Sequence, residues 1–179
     1  ATRRDHIDHD GRRAVLRSRA TTGTKSCPDA LTAHLYAIVP LAKKSDDGQP
    51  RAKKVPVRVP DDAREVGWWK LHADAGLDFA KLTGDFNPVH WVPPYARAFG
   101  FRSCILHGFS TFARTWEGLR TSLRREPTKL DVRFTKPLLL PARVGLYLSP
   151  DDAEPSAHTG RVFVGDAPSG PAYLEGTYA

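Results

Sequence analysis

The chain has 179 residues, of which 40% are hydrophobic and 26% are charged. This composition is typical of one ordinary globular domain, or of one domain with an appendage, and it excludes a disordered chain, a fibrous repeat and a helix that spans a bilayer. The formal net charge is +7, which favours anionic partners such as nucleic acid or phosphorylated small molecules. Because no zinc-finger spacing or aromatic RNA-binding signature accompanies the charge, we expect neither a nucleic-acid partner nor a membrane partner.

The N-terminal residues are charged and lack the apolar core of a secretory signal, so we expect a cytoplasmic protein. Cys27 and Cys104 are too few for a disulfide framework and are expected to stay reduced. The chain contains no methionine, not even at position 1, and we therefore expect an incomplete N-terminus. Residues 5–10, DHIDHD, could hold a metal ion, but we predict a flexible polar terminus there and no metal site in the protein.

The N-terminal third is predicted to contain two strands and a linker. Residues 13–20 partly alternate apolar with polar side chains, and residues 30–39 form an apolar run of strand length. Residues 42–62 are rich in Lys, Asp and Pro, which predicts an exposed linker. We accordingly divide the chain into an N-terminal region, residues 1–60, and a main domain, residues 61–179.

The main domain is predicted to be α+β, with helices first and strands afterwards. A strand begins near residue 67, a helix is expected over Ala75–Leu82, and a second short helix begins at the prolines of residues 93–94. The longest helix is predicted over residues 106–124. Its expected core-facing stripe comprises Leu106, Phe109, Ala113, Trp116 and Leu123.

After this helix the sequence predicts at least four strands separated by Pro, Gly and Asp clusters. The candidate strands are 129–137, 142–149, 161–166 and 172–178. One long helix followed by an antiparallel run indicates a sheet wrapped on a helix.

The segment GDFNPVH, residues 84–90, carries the candidate chemistry. Gly84 permits a tight turn, and Pro88 stiffens the backbone and favours an extended conformation at the residue before it. Asn87 can brace this loop, so that Asp85 and His90 project toward one point. A carboxylate and an imidazole that share a water molecule can deprotonate and orient it without a metal. The alternative is that Asp85 caps a turn and His90 is an ordinary buried side chain.

The same residues resemble the signature of the MaoC-like dehydratase family, the (R)-specific enoyl-CoA hydratases. That signature runs from Gly-Asp-x-Asn-Pro to a His and then, after five residues, to Ala or Ser. The chain matches it through His90 and Ala96. The downstream segment GFRSCILHGF, residues 100–109, also resembles the family's Gly-Phe, apolar, His-Gly segment. The resemblance extends over roughly residues 68–178.

This resemblance implies a hot dog fold, in which a curved antiparallel sheet wraps a long helix. It implies reversible hydration of trans-2-enoyl-CoA to (R)-3-hydroxyacyl-CoA, with Asp85 and His90 as the catalytic pair. The backbone N–H of Gly108 would polarise the thioester carbonyl, and Ser110 would face the substrate. No cofactor is implied beyond coenzyme A as the carrier of the acyl group. We predict that His107 has a structural role.

Two departures from the family bear on the substrate. Some members carry a Ser eight residues beyond the Gly, where this chain has Trp116, and an acidic residue where this chain has Val92. Acyl chain length, the choice between coenzyme A and acyl carrier protein, the pathway, and activity itself given Trp116 are left open. A hot dog thioesterase and a non-catalytic acyl-binding or assembly subunit are the alternatives.

The two N-terminal strands resemble the closing strands of a second, degenerate hot dog, as in double-hot-dog hydratases. Either the chain is a fragment of such a protein, which we favour, or a second chain completes the sheet. We therefore expect a homodimer or a pseudo-dimer, because an isolated hot dog leaves an unpaired edge strand and a half-built substrate tunnel.

Overall fold

The computed structural model describes residues 2–9, 13–41, 55–149 and 159–179. The chain divides into two compact units, Ala1–Lys53 and Lys54–Ala179. The first unit is an antiparallel sheet of three strands in the order β1-β2-β3. These strands are β1 (Thr2–His9), β2 (Arg13–Thr22) and β3 (Leu31–Pro40).

Strands β2 and β3 are the two strands that the sequence predicts, whereas β1 is an addition. The expectation of a flexible terminus is wrong for Thr2–His9, whose backbone pairs with β2 and places Ile7 opposite Leu16. A polar segment can pair in this way because the neighbouring strand satisfies its N–H and C=O groups. The alternative of a metal site at residues 5–10 concerns side chains that lie outside the described part of the chain.

The second unit contains a five-stranded antiparallel sheet, in the order β4-β6-β7-β8-β5, and three α-helices. Its elements are β4 (Arg64–Leu71), α1 (Ala75–Thr83), a 3₁₀ turn (Pro88–His90), α2 (Pro93–Ala98), α3 (Gly108–Leu123), β5 (Leu130–Phe134), β6 (Ala142–Ser149), β7 (Gly160–Gly165) and β8 (Ala172–Tyr178). The predicted α+β class, the first helix, the longest helix and the four late strands are confirmed. Among the described residues, no helix is both long and apolar enough to span a bilayer.

The sheet is buried on both faces at its centre. On one face, Leu146, Val162 and Leu174 pack with Leu119 of α3 and are fully buried. Because successive side chains alternate across a strand, the neighbours Tyr147 and Phe163 belong to the opposite face. They form a second cluster with Val59, Ala63 and Ala172.

The segment that precedes β4 packs on that second face and is not an exposed linker. Val59 is 1% exposed, its N–H donates to the carbonyl of Gly170 at 3.0 Å, and the N–H of Ala172 donates to the carbonyl of Val57 at 3.0 Å. The linker prediction is therefore wrong for residues 57–60. Two valines in a proline-rich stretch are sufficient for an edge segment that pairs through only a few backbone bonds. Residues 42–54 lie outside the described part.

The predicted apolar stripe is only partly correct: Leu106 and Leu123 pack in the core, but along most of α3 a different face is buried. Its buried residues are Ser110, Thr111, Thr115 and Leu119. Phe109 is 58% exposed, and Trp116 is only half-buried. The hydroxyl of Thr115 donates to the carbonyl of Thr111 at 2.8 Å, so this polar side chain is satisfied within its own helix and can be buried. At Gly118 an added Cβ would lie 2.4 Å from Leu146, so the helix approaches the sheet closely.

Candidate active site

The motif loop begins where α1 ends, and it packs directly on that helix. Gly84 has φ 79° and caps the helix, with its N–H donating to the carbonyl of Ala80 at 2.8 Å. Gly76, inside the helix, faces the other end of the loop: an added Cβ would lie 1.9 Å from the backbone oxygen of His90. These two glycines allow residues 84–90 to turn sharply and to lie against α1.

Short-range hydrogen bonds hold the loop in shape. The N–H of Asn87 donates to Oδ1 of Asp85 at 3.3 Å, and Oδ1 of Asn87 accepts the N–H of Val89 at 3.3 Å. Pro88 then begins the 3₁₀ turn, in which the N–H of His90 donates to the carbonyl of Asn87. The side chain of Asn87 thus braces the loop, and one oxygen of the Asp85 carboxylate is already oriented by the backbone.

The imidazole of His90 is fixed by the segment that leads into α3. Its Nδ1 lies 2.8 Å from the carbonyl oxygen of Ile105. A carbonyl oxygen can only accept, so Nδ1 carries the proton in the neutral ring and Nε2 is left as an acceptor. Burial lowers the pKa of His90 below its ordinary value of 6.5, and the nearby His107 lowers it further, against the opposing effects of the Ile105 hydrogen bond and of Asp85. The ring is therefore neutral at neutral pH.

His107, the residue immediately before α3, joins the same cluster. It is 2% exposed, and its Nε2 donates to the backbone carbonyl of Asp85 at 3.0 Å. Its ring stacks on His90, with centroids 3.6 Å apart and an angle of 24° between the planes, and it contacts Phe79 at 5.0 Å. Its Nδ1 is buried and has no hydrogen-bond partner among the described residues. The sequence predicts only a structural role for His107 and does not include it among the catalytic residues, although its position immediately before a helix start is a usable signal.

One ligand-type atom from each of Asp85, His90 and His107 lies within 4.8 Å of the others. The Asp85 side chain is 58% exposed, so a substrate can reach its carboxylate, whose Oδ2 lies 3.8 Å from Nε2 of His107. This set suits a proton-transfer site better than a metal site. The lone pair of an imidazole lies in the ring plane, and two nearly parallel rings in a stack cannot both direct their lone pairs at one ion.

Gly108 and Ser110 follow on α3. Gly108 is the first residue of the helix, where N–H groups have no intrahelical acceptor. An added Cβ there would lie 3.1 Å from the ring of Phe134, so the absence of a side chain leaves room beside this N–H. Ser110 is 3% exposed and lines a cavity of about 490 Å³ between β4, α1 and α3, together with Phe79. Trp116 is not among the residues that line it.

The structure therefore brings Asp85 and His90 together and adds His107 to them. Asn87 lies within the same loop, Gly108 follows His107 in sequence, and Ser110 lies along the neighbouring cavity. A long helix packed against an antiparallel sheet defines the fold class, which is a hot dog. The carboxylate and the neutral imidazole lie beside the N-terminus of that helix.

Comparisons with known proteins agree with this class. The profile of the MaoC like domain matches residues 49–166, about two thirds of the chain. The chain therefore belongs to the MaoC-like dehydratase family, and the resemblance read from its motifs is confirmed. The hot dog fold is confirmed by solved structures of the same family.

Individual relatives match this chain over different shares of their own length. It is 39% identical over 74 residues to 3-hydroxyacyl-thioester dehydratase X of Mycobacterium tuberculosis. The aligned segment covers 41% of this chain and 26% of that relative. The crystal structure of HtdX from Mycobacterium tuberculosis superposes with a TM-score of 0.68 at 25% identity, over 99% of this chain and 66% of that one. The (R)-hydratase from A. caviae involved in PHA biosynthesis has a TM-score of 0.51 at 19% identity, over 71% of this chain and 96% of that one. The chain thus spans about a quarter of the curated dehydratase that it matches.

Proposed function

We propose that the protein is a hydratase that reversibly adds water to trans-2-enoyl-CoA and forms (R)-3-hydroxyacyl-CoA. The observation that carries the proposal is the close approach of the Asp85 carboxylate and the neutral imidazole of His90 on a braced loop. Family membership and the 3-hydroxyacyl-thioester dehydratase among the relatives support the same reaction. The thioester carrier is coenzyme A, and the chemistry needs no other cofactor.

The catalytic pair would hold one water molecule through both of its hydrogens. The carboxylate of Asp85 is an acceptor, and so is Nε2 of His90, because its Nδ1 donates to the Ile105 carbonyl. A water that donates to both groups keeps its oxygen lone pairs free. These lone pairs can then face the substrate. Two acceptors are needed because each one binds one hydrogen of the water molecule and so fixes its orientation.

The reaction step balances within this pair. Asp85 removes one proton from the water molecule. At the same time the water oxygen bonds to C3 of the enoyl group, and the C2–C3 π electrons move toward the thioester carbonyl. The resulting enolate oxygen would accept a hydrogen bond from the N–H of Gly108, where the helix N-terminus favours negative charge. The proton held on Asp85 is then delivered to C2, which completes the addition and restores the carboxylate.

His107 would act by positioning. Its bond to the Asp85 carbonyl holds the start of the motif loop, and its ring fixes the orientation of the His90 ring by stacking. Asn87 braces the loop between the two catalytic groups. Ser110 would contact the substrate from the same first turn of α3 as Gly108.

The direct test is to follow the loss of crotonyl-CoA absorbance with purified protein, while a thiol reagent monitors free coenzyme A. Hydration by the unmodified chain, lost in Asp85→Asn, supports the proposal. Release of free thiol at the same rate as the loss of absorbance would instead identify a thioesterase. Binding of the thioester without turnover would identify an acyl-binding subunit and would contradict the proposal.

We also propose that a second hot dog completes the site, supplied by a second copy of the chain or by another part of a longer polypeptide. In the described sheet, β5 is an edge strand, and its Phe134 is 49% exposed beside Gly108. An exposed edge next to a catalytic N–H is suited to pairing with another sheet. Sedimentation should show a dimer of this chain, and a monomer with full hydratase activity would contradict the proposal.

A further inference from the structure

The cavity beside α3 has apolar walls and one unpaired cation. Its volume of about 490 Å³ lies within the usual range of small-molecule sites, roughly 300–1,000 Å³. Trp69, Phe79 and Leu82 line it from β4 and α1, and Ala113 lines it from α3. Arg114, also on α3, is another of the lining residues.

Arg114 lacks the partner that such a position requires. Its Nε is buried and has no hydrogen-bond acceptor among the described residues, and none of the ion pairs in that part of the chain includes Arg114. A guanidinium stays charged at any physiological pH, and a buried donor left unpaired is costly. The two terminal guanidinium nitrogens are not among the buried unpaired atoms, so a ligand in the cavity that brings a carboxylate to them would pair the charge of Arg114.

The one carboxylate in the lining is already paired. Glu117 accepts Nε of Arg120 at 2.8 Å and a second guanidinium nitrogen at 2.6 Å, so it forms a bidentate pair with a residue outside the cavity. The pair is neutral as a whole, which leaves Arg114 as the uncompensated charge of the lining. The cavity therefore combines an apolar surface with a single positive group.

We propose that this cavity binds an apolar chain that ends in a carboxylate, with Arg114 pairing to the carboxylate. The guanidinium fork matches the two oxygens of a carboxylate, and the aromatic and aliphatic walls match an alkyl chain. The chemistry has two sources: a free fatty acid, or the far end of an acyl thioester that carries a second carboxylate. Binding of the free acid does not depend on the proposed hydration.

The cavity also reaches the candidate active site. Phe79 lines the cavity, and its ring also contacts the ring of His107. Ser110, another lining residue, lies three residues beyond His107 in sequence. From Gly108, the first residue of α3, to Arg114 the helix rises roughly 9 Å. An acyl chain whose carbonyl lies at the N-terminus of α3 would have its far end near Arg114, which makes this residue a candidate for substrate selection.

Isothermal titration calorimetry on the whole chain tests the proposal with decanoate, decanol and adenosine 3′,5′-bisphosphate as separate probes. We expect decanoate to bind and decanol to bind at least tenfold more weakly. Arg114→Met should weaken decanoate binding by about 10- to 100-fold, because it removes a charge-assisted hydrogen bond. Arg114→Lys keeps the charge without the planar fork of the guanidinium, so its affinity for decanoate should lie between those of the unmodified chain and Arg114→Met. The matched control is Lys81→Met, which removes an exposed cation beside Leu82 that does not line the cavity and should bind decanoate as the unmodified chain does.

A second variant keeps the test valid if Arg114→Met fails to fold. Ala113→Phe leaves the charge in place and fills the cavity from an exposed helix position, and it should abolish decanoate binding. Equal binding of decanoate and decanol, or unchanged binding in Arg114→Met, would overturn the proposal. So would competition by the nucleotide for the same site.

Turnover distinguishes a free fatty acid from the far end of an acyl thioester as the source of the carboxylate. If the end of the acyl chain occupies the cavity, enoyl-CoA with a terminal carboxylate should be turned over in preference to its methyl-ended analogue. Arg114→Met should remove that preference.

Discussion

Replacing Gly76 by Ala should distort the candidate site from a position that does not touch the substrate. An added Cβ would lie 1.9 Å from the backbone oxygen of His90 and 2.9 Å from its carbonyl carbon. Ordinary contacts of a Cβ begin near 3.4 Å, so the two must separate by about 1.5 Å (3.4 − 1.9). Both partners are backbone or fixed to it, because Gly76 lies inside α1 and His90 ends a 3₁₀ turn.

The free-energy change combines three effects. Overpacking costs about 1–3 kcal/mol, and displacement of the turn weakens the 2.8 Å bond from His90 to the Ile105 carbonyl, worth about 1 kcal/mol. Against this, Ala is favoured over Gly inside a helix by about 1 kcal/mol. We therefore expect Gly76→Ala to lower the free energy of unfolding by about 1–3 kcal/mol. A displacement of the same size at a catalytic imidazole should lower kcat/KM by about 100-fold.

Urea denaturation and crotonyl-CoA hydration measure the two effects on the same samples. Gly67→Ala is the control for stability, because an added Cβ there meets no atom within 4 Å. Helix propensity alone predicts that Gly76→Ala is more stable than the unmodified protein. If the variant is as stable and as active as the unmodified chain, the motif loop does not pack tightly on α1 at Gly76.

Two further predictions concern the histidine pair and the second face of the sheet. His107→Phe keeps an aromatic stack on His90 but removes the bond to the loop, so kcat should fall at least tenfold, while stability should change by no more than about 1 kcal/mol because a buried unpaired nitrogen is removed as well. In the pH profile of kcat/KM, the acid-side pKa should lie below 6.5 in the unmodified protein, because burial and His107 lower the pKa of His90. This pKa should rise in His107→Phe, which removes the effect of His107. An acid-side pKa at or above 6.5 in the unmodified protein would refute the assignment to His90. Val59→Ala should lower the free energy of unfolding by about 1–3 kcal/mol in urea denaturation, because Val59 is buried. Val55→Ala, at a position that is 88% exposed, should change it by less than about 0.5 kcal/mol. Equal effects would show that residues 55–60 form an exposed linker.

The sequence predicts the order of elements in the main domain well, because clear signals bound them. Strands β6 and β8 occupy the predicted residues 142–149 and 172–178; Pro141 and Pro150 flank β6, and Pro171 precedes β8. Helix α1 ends at Thr83, one residue beyond the predicted Leu82, and Gly84 caps it in a left-handed conformation that other residues rarely adopt. Local backbone chemistry decides these boundaries, so a single sequence suffices to find them.

The buried face of α3 could not be read from hydropathy. A hydropathy pattern ranks Phe109 and Trp116 above Thr111 and Thr115, but the structure buries the threonines. A threonine that bonds to its own helix carries no unpaired hydroxyl into the core, and its small side chain allows the helix to approach the sheet. Whether a particular hydroxyl will bond in this way depends on the packing partner, which the helix sequence does not contain.

The sequence predicts a catalytic pair, whereas the structure brings three side chains together. The motif identifies Asp85 and His90 because they lie in one short stiffened loop. His107 lies 17 residues beyond His90, and its stacking depends on how the segment before α3 folds back over the loop. A sequence motif contains no information about that return, although a His-Gly pair at a helix start is a reason to test it.

A double-mutant cycle on Asp85 and His90, with crotonyl-CoA hydration as the assay, tests the shared-water mechanism most directly. Asp85→Asn keeps the shape of the side chain but removes the base, and His90→Ala removes the second acceptor for the water. Each should lower kcat by about 10²–10⁴-fold, and the double variant should be hardly slower than the slower single variant, because both groups serve one proton transfer. If Asp85→Asn keeps most of kcat, or if the two losses multiply independently, then Asp85 and His90 do not share a catalytic water.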